Sequence, residues 1–181
     1  LDIARRARDI GAKIVVTNPS PIKWGGADNK NDEQLRVQDD ALNRLGEKLK
    51  DLSLVLAYHN HDMEMRCSAR EFHHMMLGTD PANVSLCLDA HWVYRGSENS
   101  AVALFDIVKL YAKRVRELHI RQSVKQVWTE TVREGDIDYR ALVAAVMEAG
   151  VSPHLVLEQA VEKDTPKTMD AVAAHQVNCQ Y

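Results

Sequence analysis

The chain has 181 residues, 45% hydrophobic and 27% charged, enough for one domain with a sizeable core. Its 23 basic and 26 acidic residues leave a net charge of −3, which speaks against a general polyanion binder, because nucleic-acid domains carry a basic face. No apolar run approaches membrane-spanning length, and three cysteines without metal-type spacing (Cys67, Cys87, Cys179) fit a reducing, cytoplasmic setting. The first residue is Leu1 rather than Met and the chain opens inside a helical pattern, so an upstream segment is expected.

In chain order, Asp2 to Ile10 has a helical apolar face and a glycine stop at Gly11. Lys13 to Thr17 is a β-branched strand, followed by a loop with Pro19, Pro21, Gly25 and Gly26 around Trp24. Asp32 caps a predicted helix to about Lys50, with Leu35, Leu42, Leu45 and Leu49 as its stripe. Ser53 to Tyr58 is a second strand. Ser68 and Glu71 form a predicted capping box for a helix carrying Phe72, Met75 and Met76 and ending at Gly78. On that helix His73 and His74 are expected in solvent. Val84 to Asp89 is a third strand with Cys87 as a buried thiol, and a loop through Arg95, Gly96 and Ser97 leads to a helix over Ala101 to Lys113.

Val115 to Ile120 is a fourth strand, and Arg121 to Asp136 a long loop holding Trp128 and Gly135. Asp138 caps a helix to Ala149, His154 to Glu158 is a fifth strand, and a last helix starts near Pro166 and fades by Gln176, with His175 at the surface. The strands are continuous apolar runs, the mark of a sheet covered on both faces. One strand and one helix recur every thirty to forty residues or so, as in a (β/α)₈ TIM barrel. Five strands do not close such a barrel. Either about three β/α units lie outside this chain, or the fold is a five-stranded doubly wound sheet. A single domain over residues 1–181 is expected.

The strand ends carry the chemistry. The second runs into Tyr58-His59-Asn60-His61-Asp62-Met63-Glu64, the third ends at Asp89, the fourth holds His119 and the fifth ends at Glu158. Taken singly, an acidic residue after a strand is a helix cap and a histidine there is a structural hydrogen-bonding group. Four successive strand ends of this kind converge on one rim of a parallel sheet, where carboxylates and imidazoles repel and desolvate one another unless a cation joins them. An oxygen-rich set with imidazole favours Mn²⁺ first, then Mg²⁺ or Co²⁺, with Zn²⁺ or Fe²⁺ also accommodated.

These stretches, with Cys87-Leu88-Asp89-Ala90-His91-Trp92, Glu117-Leu118-His119-Ile120-Arg121, Leu155-Val156-Leu157-Glu158-Gln159 and Gly135-Asp136-Ile137-Asp138-Tyr139, resemble the xylose isomerase-like TIM barrels of the sugar phosphate isomerase/epimerase group. The resemblance implies the last five strands of the barrel. It also implies one divalent metal on Glu64, Asp89, His119 and Glu158, with His61 the alternative to Glu64. Glu64 and Glu158 would exchange the proton of a carbon next to a carbonyl, through a metal-stabilised enediolate. His59, His61, His91, Trp92, Arg121 and Trp128 would handle the substrate. Arg121-Gln122-Ser123 stands where many relatives have Lys-Asp, and Val127-Trp128-Thr129-Glu130 is aromatic and acidic, which points to a non-phosphorylated or keto sugar.

The resulting expectation is a metal-dependent sugar isomerase or epimerase, with two alternatives: a lyase or dehydratase acting by β-elimination, and a non-catalytic carbohydrate-binding or partner subunit. An AP endonuclease on the same barrel would need more histidines and a basic DNA face. A small-molecule sugar is the expected partner, without nucleic acid or membrane. The exposed sheet edges call for a second copy or a complementing chain.

Overall fold

Short apolar runs pair side by side into one parallel sheet, and the segments between them wind into helices. The computed structural model describes residues 1–158 and 161–181. The strands are β1 (Ile14–Thr17), β2 (Val55–His59), β3 (Val84–Asp89), β4 (Val115–Ile120), the two-residue β5 (Ser123–Val124) and β6 (Val127–Trp128), and β7 (His154–Leu157). The helices are α1 (Asp2–Asp9), α2 (Asp32–Lys50), α3 (Arg66–Gly78), α4 (Ala90–Gly96), α5 (Ala101–Tyr111), α6 (Tyr139–Glu148) and α7 (Ala171–Asn178). The main sheet has the order β1-β2-β3-β4-β7, while β5 and β6 form a small antiparallel hairpin.

That order decides between the two expected architectures. A doubly wound sheet reverses its strand order at a switch point. Here all four pairings are parallel and join successive strands of the main sheet, so the crossovers wind one way and the sheet is an arc of a (β/α)₈ barrel. One face packs Leu56, Tyr58, Leu86, Leu88, Leu118 and Ile120 against helix residues that include Leu35, Leu42, Phe72, Met75, Leu104 and Leu142. The other face is polar toward the strand ends. Register aligns His59 with Cys87, Cys87 with Glu117, and Asp89 with His119. The continuous apolar reading of the strands hid this face, because in Leu-Cys-Leu-Asp and Glu-Leu-His-Ile only alternate residues are polar.

Several boundaries differ from expectation for local reasons. Asn31, not Asp32, caps α2: its side chain accepts the Gln34 N–H at 2.9 Å while the Gln34 side chain accepts the Asn31 N–H at 2.9 Å. Ser68 caps nothing. Cys67, Ser68 and Ala69 lie in the left-handed region, and Glu71 instead takes Lys30 at 2.6 Å and Gln38 at 2.9 Å. The stretch through Arg95 is the helix α4, capped by the Asp89 carboxylate on the Trp92 N–H. The last helix starts at Ala171 because Asp170 caps it, while Glu130 holds the preceding Thr168 and Met169 N–H groups. Among the described residues, no helix is long and apolar enough to cross a membrane.

Candidate metal centre

The ends of β2, β3, β4 and β7 meet as neighbours because the strands are in sequential register. His59 closes β2, Asp89 closes β3, His119 is the penultimate residue of β4, and Glu158 follows β7 with its N–H bonded to the Ile120 carbonyl at 3.0 Å. Asn60 is fully buried and locks β2 to β3: its side chain donates to the Asp89 carbonyl at 3.1 Å and accepts the Asp89 N–H at 3.0 Å. After His61 the chain makes a 3₁₀ turn, Met63–Met65. This turn packs under α4 at Gly96, where a Cβ would stand 2.7 Å from the Asp62 carbonyl oxygen and 2.8 Å from its Cα.

Four donors converge. One ligand-type atom each from His59, Asp89, His119 and Glu158 lie within 4.8 Å of one another. His59 Nε2 is 3.2 Å from His119 Nδ1, 3.6 Å from Asp89 Oδ2 and 3.9 Å from Glu158 Oε2. His119 Nδ1 stands 2.7 Å from Glu158 Oε2, and its Nε2 is 2.8 Å from Glu117 Oε1. The Arg121 guanidinium closes the group, donating through Nη2 to Asp89 Oδ2 at 2.6 Å and reaching Glu158 Oε2 at 2.8 Å.

This arrangement perturbs the titrations. Burial works against the charged form of His119, but hydrogen bonds to Glu158 and Glu117 prevail and raise its pKa. The same bond from His119, with Arg121 behind it, holds Glu158 down to about 2. Burial and the neighbouring His59 lower the pKa of His61, so it is a neutral base at neutral pH. Its Nδ1 is buried without a hydrogen-bond partner. Two carboxylates and two imidazoles on one rim are a donor set that fits a divalent ion.

The structure brings together Asp89, His119 and Glu158 as expected, but Glu64 does not join them; His59 stands in its place. Glu64 is 2% exposed, its Oε2 accepts the His61 N–H at 2.7 Å, and burial raises its pKa. The 3₁₀ turn folds its side chain back on the His61 backbone, away from the rim. Arg121, Trp92 and Trp128 form one wall: the guanidinium carbon lies 5.1 Å from the Trp92 ring centre and 4.9 Å from that of Trp128. His61 approaches Trp24 and Trp92 edge-on or tilted, at 5.2 and 6.0 Å between ring centres. His91 is behind this wall, 1% exposed, with Nε2 3.0 Å from Ser123 Oγ, so it supports the wall from α4.

His73 and His74 are half-buried rather than solvated, against Tyr111 Oη at 2.7 Å and Asp39 Oδ2 at 3.0 Å. Sequence reading missed Glu117 and Asn60. Strand alternation could have found Glu117, two residues before His119 on the same face. For Asn60, between two histidines, no comparable signal exists.

A family model described as xylose isomerase-like TIM barrel matches residues 1–177. Inosose dehydratases of several bacteria match in sequence; that of Bacillus licheniformis is 23% identical over 189 residues, covering 90% of this chain and 62% of that protein. The chain spans about three-fifths of the length of the first of these curated relatives. Among solved structures, a sugar phosphate isomerase/epimerase from Parabacteroides distasonis superposes with a TM-score of 0.76 at 19% identity, over 99% of this chain and 62% of that one. The IolI protein, crystallised with a zinc atom, superposes with a TM-score of 0.68 at 18% identity, over 99% of this chain and 64% of that one. These structural likenesses concern the fold.

Proposed function

Because this chain belongs to the xylose isomerase-like TIM barrel family, we propose that it works as a divalent-metal-dependent lyase, removing water from a keto-sugar or an inosose by β-elimination. The observation that carries the metal is the convergence of His59, Asp89, His119 and Glu158 within 4.8 Å. Support for elimination over the expected isomerisation comes from the inosose dehydratases among its relatives. When bound, the ion supplies charge stabilisation to the substrate carbonyl oxygen as negative charge develops there. Its identity, Mn²⁺ in the sequence expectation, is left to the donor set, which also takes Zn²⁺ or Mg²⁺.

The chain's own residues do the rest. His61 is the acid–base group: burial keeps it neutral at neutral pH, which matches the task of taking a proton from the carbon next to the carbonyl. The carbon–hydrogen electron pair becomes the new double bond, the β-hydroxyl departs, and the same imidazole returns the proton so that water leaves. Asp89 and Glu158 hold the positive charges at the rim, and Arg121 neutralises whatever negative charge the ion does not. Trp24, which is exposed, and the partly exposed Trp92 offer aromatic faces suited to the apolar face of a sugar ring. Trp128, buried with Arg95 and Arg121 over its ring, backs the wall instead of facing substrate, contrary to expectation. Glu64, beneath His61, steadies its backbone rather than touching substrate.

The test is turnover of an inosose or keto-sugar with Mn²⁺ or Mg²⁺ in deuterated buffer. Elimination gives a conjugated ketone that absorbs in the ultraviolet. A stereoisomer carrying deuterium without new absorbance would replace the lyase with an epimerase. Binding without exchange or turnover would leave a carbohydrate-binding subunit.

A further inference from the structure

One step below the rim, the polar sheet face carries a second donor set. Cys87 is fully buried on β3, two residues before Asp89, beside His59 on one neighbouring strand and Glu117 on the other. Donor atoms of His59, Cys87 and His119 lie within 4.8 Å of one another. Metal–ligand bonds of about 2.0–2.3 Å bridge such a spread after small side-chain shifts. The Cys87 thiol donates to Glu117 Oε1 at 3.6 Å, and the same oxygen is 2.8 Å from His119 Nε2. One sulfur, two imidazoles and one carboxylate therefore gather beneath the four-donor rim.

The two sets differ in softness. Carboxylate-rich sets suit Mn²⁺ and Mg²⁺, whereas a thiolate with imidazole selects Zn²⁺ and other thiophilic ions. We propose that Cys87, His59, His119 and Glu117 form an alternative site for a thiophilic divalent ion. On binding, the thiol proton is released to solvent, the sulfur lone pair forms the metal bond, and Glu117 stays ionised as the carboxylate ligand. Because the rim shares His59 and His119, an ion at the lower site withdraws both imidazoles from Asp89 and Glu158. Occupancy below thus excludes full coordination above, and thiophilic ions act as inhibitors of the rim site. This inference goes beyond the lyase reading and needs no turnover to be tested.

The experiment uses the full chain with the two exposed cysteines replaced, Cys67→Ser and Cys179→Ser, which leaves Cys87 as the single thiol. Cd²⁺ or Co²⁺ is titrated under reducing, anaerobic conditions, and the sulfur-to-metal charge-transfer band in the ultraviolet is followed. The expected result is a band that saturates at one ion per chain, persists in Asp89→Asn and is bleached by a large excess of Mn²⁺. Calorimetric binding of Cd²⁺ without any such band overturns the site. A band that excess Mn²⁺ leaves untouched overturns the shared-donor arrangement. Cys87→Ser should abolish the band; because Cys87 is already the only thiol, the assignment survives even if that variant fails to fold.

Discussion

Asn60 holds Asp89 through both of its backbone polar groups, with hydrogen bonds of 3.1 and 3.0 Å from one buried amide side chain. The side chain thereby continues the parallel β2–β3 ladder past the end of β2 and fixes where the Asp89 carboxylate emerges. Replacing Asn60 by Ala leaves a buried N–H and a buried carbonyl without partners, a cost of roughly 2–4 kcal/mol. Urea unfolding should show that loss, and calorimetry should show divalent-metal affinity falling about tenfold or more as Asp89 loses its position. Unchanged affinity in a folded Asn60→Ala protein would separate Asn60 from the centre.

Arg121 is the cation that the two carboxylates hold, at 2.6 Å from Asp89 and 2.8 Å from Glu158, between two indole rings. Taking away one partner of a buried ion pair leaves an uncompensated charge, which costs about 3–5 kcal/mol; the half-exposed Glu158 side reduces that figure. In the metal-free protein Arg121→Met should lower the melting temperature markedly. Adding Mn²⁺ should raise it by more than in wild type, because the ion now supplies the strong countercharge to Asp89. Equal metal-induced shifts in the two proteins would show that Arg121 and the ion are not exchanging the same carboxylates.

Much of this was legible in the sequence, and the limits are physical. Strand identity came from five apolar runs at regular spacing, while their order in the sheet stayed open between a partial barrel and a doubly wound sheet until the pairings decided it. Asp89, His119 and Glu158 were placed on one rim because a strand end is a fixed place on a parallel sheet. Glu64 was misplaced because it lies past the strand end, in a 3₁₀ turn whose direction depends on packing against Gly96. Once the periodic part of the chain stops, spacing no longer predicts where a side chain points. The left-handed run Cys67–Ala69 was likewise invisible, since Ser68 and Glu71 have the right types for a cap and differ only in what surrounds them. His74 reads as a solvated helix residue until Asp39 of α2 arrives beside it through tertiary packing.

The difference between Glu64 and His59 can be measured. Glu64→Gln keeps a carbonyl oxygen for the His61 N–H and should leave metal affinity within a few-fold of wild type, with a modest change in stability. His59→Gln removes an imidazole 3.2 Å from His119 and 3.6 Å from Asp89, and should weaken metal binding by 10–100-fold or so. The reverse ranking would restore Glu64 as the ligand and require the turn over Met63–Met65 to reopen on metal binding.

Gly96 offers a test of how the two halves of the rim are joined. A Cβ there would press within 2.8 Å of both the Asp62 Cα and the Met65 Cβ, so Gly96→Ala must move either α4 or the His61–Glu64 turn. Overpacking of this kind costs about 1–3 kcal/mol. Because α4 carries Trp92 and the turn carries His61, substrate binding should suffer more than metal binding, whose donors sit on the strands. A rise in KM with metal affinity preserved is the expected pattern. Parallel losses of both would mean that the strand ends shift with the helix.

The last expectation concerns acid. Burial, with Arg95 and Arg121 nearby, lowers His91 from 6.5 to about 4, so it is folded in its neutral form. Below pH 6.5 the unfolded chain takes up a proton that the folded chain refuses until about pH 4. The unfolded state therefore binds more protons across that window, and stability falls as the pH drops from 6.5 to 4 and levels off below. The whole gap corresponds to about 3 kcal/mol as an upper bound. His91→Gln, whose amide can still reach Ser123 Oγ, should flatten the wild-type slope between these limits, read from urea midpoints at a series of pH values. Parallel slopes in the two proteins would show that His91 takes up its proton in the folded state and that the wall behind Trp128 opens to water.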